Sequence, residues 1–165
     1  SISFFSLSKQ SNTIYYKSDS NITQIDSFKF LCGLDAFLNT TNPNSVPDSH
    51  PLSSSHNMYW TDWTKYRYVI LEGKIKLGNG QVSSYSFHTG QNYRKFSSVI
   101  PNNTLVLQEK NELKLILNLE KIFIPNTGTP IDYKNGELQA HSDVSDAELT
   151  QKFATNFARA FSVQY

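Results

Sequence analysis

Tyr66-Arg67-Tyr68-Val69-Ile70-Leu71-Glu72-Gly73-Lys74-Ile75-Lys76-Leu77, followed by Gly78-Asn79-Gly80 and then by Val82-Ser83-Ser84-Tyr85-Ser86-Phe87-His88, is the stretch on which the fold turns. Both flanks are rich in β-branched and aromatic residues, which suit a half-buried pleated surface. The Gly-Asn-Gly between them provides the positive φ angles that a tight hairpin needs. Gly73, inside the first flank, predicts a kink or bulge. On the return strand Tyr85 and Phe87 share one face, while Ser84, Ser86 and His88 share the other.

Outward from this hairpin the chain continues to read as β. Ile2–Leu7 and Thr13–Tyr16 form a candidate hairpin, and Phe28, Phe30 and Cys32 alternate onto one face. Thr104–Gln108 and Leu113–Ile124 read as another strand pair around a charged turn. The strict alternation of Leu113, Leu115, Leu117 and Leu119 shifts phase at Ile122 and Ile124, which predicts a bulge near Glu120-Lys121. Asn39–Ser55 is rich in Thr, Asn, Pro and Ser, with Pro43, Pro47 and Pro51, and predicts a long loop without a packed element, a type that is often functional.

The C-terminal end changes character. Ser145-Asp146-Ala147-Glu148 has the form of a capping box. Leu149, Phe153, Phe157 and Phe161 recur every four residues, which predicts one amphipathic helix over about 145–162, closing over the sheet. The fold expected is therefore a mostly-β, antiparallel sandwich or barrel-like single domain of 165 residues with one C-terminal α-helix.

Composition limits the function. The net charge is +1 and charged residues make up 18%, so the chain has no electrostatic footprint for nucleic acid. No apolar run is long enough to span a bilayer. Cys32 is the one cysteine, which excludes an internal disulfide and a cysteine-rich metal site; in its apolar run it reads as a small buried hydrophobe. No Gly-x-Ser-x-Gly elbow, phosphate-cradling loop or dinucleotide fingerprint is present. Asp35, Asp48, Asp62, Glu72, Asp132 and Asp143 are scattered, and nothing favours a pair of catalytic carboxylates. No catalytic residue is assigned.

Four histidines are the remaining candidates for chemistry. His50 reads as a solvated loop residue. His56 opens the aromatic segment His56-Asn57-Met58-Tyr59-Trp60-Thr61-Asp62-Trp63. His88 ends its strand on the face away from Phe87, and His141 lies just upstream of the helix, so both can project toward one rim. The aromatic segment, which holds both tryptophans, has three readings. It is a core plug, or a stacking platform of Tyr59, Trp60 and Trp63 for glycans or a protein partner, or part of a metal site with a modified aromatic side chain.

Several motifs, in order, resemble the MbnP-like family. They are Gly33-Leu34-Asp35; Asn57-Met58-Tyr59-Trp60-Thr61-Asp62-Trp63 running to Tyr66; Leu71-Glu72-Gly73; Phe87-His88-Thr89-Gly90; and His141-Ser142 followed by a helix ending Asn156-Phe157-Ala158-Arg159-Ala160-Phe161-Ser162. The resemblance implies an extracytoplasmic protein of the periplasm or cell surface, often a lipoprotein whose anchor would lie outside this chain. It also implies that the chain begins within the family's domain, short of its N-terminal strands. Copper is the implied cofactor, held by histidine together with a kynurenine made from tryptophan, and a di-haem peroxidase-like protein of the MbnH type is the implied partner. Carried over by motif, His88 is a metal ligand, His141 a neighbouring one, and Trp60 or Trp63 the residue oxidised. The family spaces its tryptophans one residue apart and this chain spaces them by two, so both stay candidates, and His56 is a further imidazole. A binding protein is expected, not a self-sufficient enzyme.

Overall fold

The computed structural model describes residues 3–6, 23–61, 65–91, 96–106, 114–143 and 145–164. Most of the candidate N-terminal hairpin, and Trp63, lie outside them. Residues 3–6 are in no regular element.

The central hairpin is the backbone of the fold. β3 (Lys65–Lys76) and β4 (Val82–Gly90) pair antiparallel, with Lys76 facing Val82 and Glu72 facing Ser86. β2 (Tyr59–Thr61) adds to the outer side of β3, and β7 (Gln139–Ala140) adds parallel to β4, giving the order β2-β3-β4-β7. β1 (Gln24–Cys32) pairs with β5 (Phe96–Val106), and β6 (Lys114–Leu117) pairs with β8 (Phe161–Gln164), both antiparallel. α1 (Glu120–Phe123) is a single turn and α2 (Ala147–Arg159) is the main helix. The architecture is mostly β, with curled antiparallel and mixed sheets around one main helix.

The core lies between the hairpin and α2. Phe87 is 0% exposed and stacks on Phe153 with ring centroids 5.0 Å apart and planes 11° from parallel. Val69, Leu71, Ile122, Phe157 and Ala160 belong to the same cluster. The four-residue spacing of Leu149, Phe153 and Phe157 thus does point one helix stripe inward. Phe161 belongs to β8, yet its ring still meets Phe157 edge-on at 5.3 Å.

Several local expectations are corrected. Gly73 does not bulge the strand: it faces Tyr85, whose ring lies across it so closely that a Cβ there would sit 2.7 Å from the phenol oxygen. An aromatic laid over a glycine keeps the strand regular, and the register shift comes instead between Arg67 and Val69. The long strand expected through Leu113–Ile124 stops at Leu117. The Asn118 carboxamide then accepts the Glu120 N–H at 3.0 Å and starts α1, which sends Ile122 and Phe123 into the core. Within the described residues, β6 pairs with the C-terminal β8 and β5 with β1, not with each other. The capping box at Ser145 is absent. Asp146 takes the N-cap position of α2, and its carboxylate accepts from the Thr150 hydroxyl at 2.9 Å and from the His141 N–H at 2.6 Å.

The proline-rich loop is packed, contrary to expectation. Leu34, Leu52 and Tyr66 form a second buried cluster, and the Tyr66 hydroxyl is within bonding distance of the Leu52 carbonyl (2.9 Å) and the Thr41 carbonyl (3.1 Å). Asn39, also buried, accepts the Tyr66 N–H at 3.2 Å. Buried carbonyls of an irregular segment need such donors, and Tyr66 meets that need from the start of β3.

Cys32 packs against the main core, and burial pushes its thiol up from 9.0 to about 11. Only the thiolate attacks electrophiles, so alkylation of the native protein by iodoacetamide at pH 8 should run about 100-fold slower than for an ordinary thiol. Mass spectrometry of timed samples reads this; a rate equal to that of free glutathione would show that Cys32 is open to solvent.

Candidate metal centre

The face of the hairpin opposite Phe87 builds the site. Because side chains alternate, Ser86 and His88 point away from the core into which Phe87 points. Glu72 stands directly across from Ser86 on β3, and β7 leads the chain along β4 to deliver His141 beside them. The short strand β2 brings Trp60 over the same face, and its neighbour Tyr59 turns the other way, edge-on to Tyr66 at 5.1 Å.

Three rings converge. The His88 and His141 centroids are 4.8 Å apart with planes tilted by 35°. The Trp60 indole meets His88 edge-on at 5.7 Å and His141 edge-on at 6.0 Å. Both imidazole Nε2 atoms approach one hydroxyl, Ser86 Oγ, at 3.2 and 3.1 Å. His88 Nε2 also lies 2.7 Å from Glu72 Oε1. A carboxylate only accepts, so His88 donates there through Nε2–H, and the Ser86 hydroxyl is free to donate to His141 Nε2.

Burial favours the neutral form of His88. Burial lowers its pKa below the ordinary histidine value; His141 and Arg67 press in the same direction, and the bond to Glu72 opposes them. His88 is only 7% exposed, and its Nδ1 is buried with no hydrogen-bond partner among the described residues. Arg67 caps the cluster, with its guanidinium 5.5 Å from the Trp60 ring centroid and donating to the Asn57 carbonyl. A cation over an indole face holds both groups in place. Trp60 remains 42% exposed at the mouth of a cleft lined by Arg67, His88, Gly90, His141 and Ser142.

The residues named from sequence therefore separate into two groups. Trp60, His88 and His141 come together. His56 stacks on the distant Phe4 at 4.3 Å and His50 accepts the Leu52 N–H within its own loop at 3.1 Å, so both are engaged away from the cluster. Of the three residues named for a stacking platform, Tyr59 and Trp60 face opposite ways, as consecutive strand residues do, and Tyr59 packs against the second buried cluster. Trp63 lies outside the described residues.

Ser86, Glu72, Arg67 and Ser142 were not singled out for the site by sequence. A signal for two of them existed. Once the turn at Gly78-Asn79-Gly80 is fixed, register places Glu72 opposite Ser86, and alternation places Ser86 on the His88 face. Ser142 was marked only as the neighbour of His141 in a family-like motif, and nothing local marks Arg67.

Among the described residues, no group of three or more histidine, cysteine, aspartate or glutamate side chains has the geometry of a metal site. Two imidazoles with an adjacent indole fall outside that description, and donors of this type suit a metal with few ligands. His88 offers a neutral ring with an unpartnered buried nitrogen, and His141 Nε2 is engaged by a hydroxyl. Imidazole nitrogen suits copper, zinc, iron and nickel.

No helix of the described residues is long and apolar enough to cross a membrane. Searches of curated proteins and of solved structures gave no match. A family model described as MbnP matches residues 2–144, a span that takes in Trp60, Glu72, Ser86, His88, His141 and Ser142. The chain belongs to the MbnP family, which is associated with methanobactin and with copper.

Proposed function

We propose that the chain is a copper-binding, copper-handling protein of the extracytoplasmic space, and a binding protein that catalyses no reaction by itself. The observation that supports this reading is the convergence of the His88 and His141 rings, with the Trp60 indole against both. His88 and His141 would hold the metal through nitrogen. Glu72 and Ser86 fix the ring orientations, the part that outer hydrogen-bond partners play at histidine metal sites. A site with few, neutral ligands suits the monovalent ion.

Trp60 is the residue we assign to oxidation, with a di-haem peroxidase-like partner as the oxidising agent. Its indole is partly exposed at the cleft mouth and therefore within reach of an external oxidant. Kynurenine, once formed, supplies an aromatic amine and a carbonyl next to the two imidazoles. Location outside the cytoplasm rests on the family's link to methanobactin systems.

Anaerobic titration of the whole protein with Cu(I), against a chromophoric chelator, is the test. Saturation at one equivalent is expected; a titration with no saturable binding would overturn the copper reading. Intact mass of protein isolated from its own host should exceed the sequence mass by a few daltons, with the change mapping to Trp60. An unmodified Trp60 in copper-loaded protein would remove kynurenine from the account and leave the histidines.

A further inference from the structure

The ladder that carries His141 to the site is very short. Ser86 faces Gln139, Phe87 faces Ala140, and the pairing of β4 with β7 ends there. His141 therefore lies one residue past the last rung. Ser142 takes over at that point. Its hydroxyl accepts the Gly90 N–H at 3.0 Å and lies 3.2 Å from the His88 carbonyl, to which it donates. These are backbone groups of β4 that a longer parallel strand would have satisfied.

Two further features show that this contact is built in. Ser142 is 2% exposed, and it adopts φ 65°, a left-handed conformation that side-chain-bearing residues rarely occupy. The fold accepts that conformation at a residue whose hydroxyl makes two long-range bonds, a combination that points to a positional constraint. On its other side His141 is tied through its N–H to the Asp146 carboxylate at 2.6 Å, and Asp146 in turn to Thr150 in α2. His141 is thus clamped between α2 and β4, and Ser142 is the β4 half of the clamp.

We propose that Ser142 is a positioning residue that sets the separation of His88 and His141, its hydroxyl standing in for the missing rung between β4 and the His141 segment. The hydroxyl bonds to the carbonyl of His88 itself, so the reference point of the clamp is one of the two imidazole-bearing residues. Without the hydroxyl, the backbone leading to His141 is held to β4 only by the two rungs before it, and the imidazole only by the Ser86 hydroxyl. The consequence for metal affinity rests on the copper reading above; the positioning role does not.

Ser142→Gly and Ser142→Ala separate the hydroxyl from the backbone conformation. Glycine accepts φ 65° freely and lacks the hydroxyl, whereas alanine lacks the hydroxyl and keeps the strain. The first readout is metal-free: the nuclear Overhauser effect between ring protons of His88 and His141 in the full chain. It should be strong in the wild type and lost or greatly weakened in both variants, with the far-ultraviolet circular dichroism unchanged. The second is Cu(I) affinity, expected to fall about 10–100-fold, the range for removing an outer partner of a ligating histidine. The glycine variant should bind no better than the alanine variant even where it melts higher. Wild-type ring contacts and wild-type affinity in Ser142→Gly would overturn the proposal. If the alanine variant does not fold, the glycine variant carries the test. If the wild type binds no copper, the copper reading fails and the ring contacts still decide the role of Ser142.

Discussion

His88→Ala should abolish tight copper binding while leaving the protein folded. His88 is the ring on which the site converges: it touches His141, Trp60, Ser86 and Glu72. Removing it deletes one of the two nitrogen ligands we propose, so the expected loss exceeds the roughly 10–100-fold that follows removal of an outer hydrogen-bond partner. The cost to stability is smaller. Burial favours the neutral imidazole, and its Nδ1 is buried without a partner among the described residues, so part of its burial is unfavourable in the metal-free state. Competition titration and a thermal melt of the same sample read both effects. Saturable binding at wild-type affinity in His88→Ala would show that the ligands lie elsewhere.

The next residue along the strand behaves in the opposite way. Phe87→Ala should cost about 3–5 kcal/mol of stability, the range for truncating a buried phenylalanine. Phe87 is fully buried, stacks flat on Phe153 and meets Phe123 edge-on at 6.0 Å. Its loss leaves a cavity between the hairpin and α2, and the stacked ring of Phe153 cannot fill it without leaving its own rotamer. For a domain with a typical margin of roughly 5–15 kcal/mol this is a large fraction of the whole. Urea denaturation is the measurement. A loss below about 1 kcal/mol would mean that the packing around Phe87 relaxes freely, contrary to its central place in the core.

The contrast between positions 87 and 88 was legible in the sequence, because it depends only on strand alternation and on a turn spelled Gly-Asn-Gly. The helix stripe of Leu149, Phe153 and Phe157 was legible for the same kind of reason: its period is that of the structure it forms. What failed were inferences in which a local pattern competes with a distant partner. The leucine alternation through Leu119 reads as strand, but the Asn118 carboxamide ends it, and β6 then finds its partner at β8, more than forty residues away. The Ser145 capping box gave way because Asp146 has a second task, holding the His141 N–H. The loop over Asn39–Ser55 looked unpacked since its composition is polar, yet Tyr66 supplies hydrogen-bond donors from a different element.

The site was visible in part for a related reason. His88 and His141 were candidates by residue type, and Trp60 by its place in a compact aromatic run. Glu72 appeared as one of several scattered carboxylates and inside a family-like motif, with no role at the site, because its proximity to His88 is a matter of register. The roles of Arg67 and Ser142 depend on a register shift and on a left-handed backbone residue, which the motif His141-Ser142 does not reveal.

X-ray absorption at the copper edge of the loaded protein tests the central claim most directly. Two imidazoles bound to one ion give outer-shell scattering that can be fitted as two rings, and the His88→Ala and His141→Ala variants should each remove one of them. A first shell containing sulfur from Cys32 or Met58, or a spectrum unchanged in both histidine variants, would contradict it.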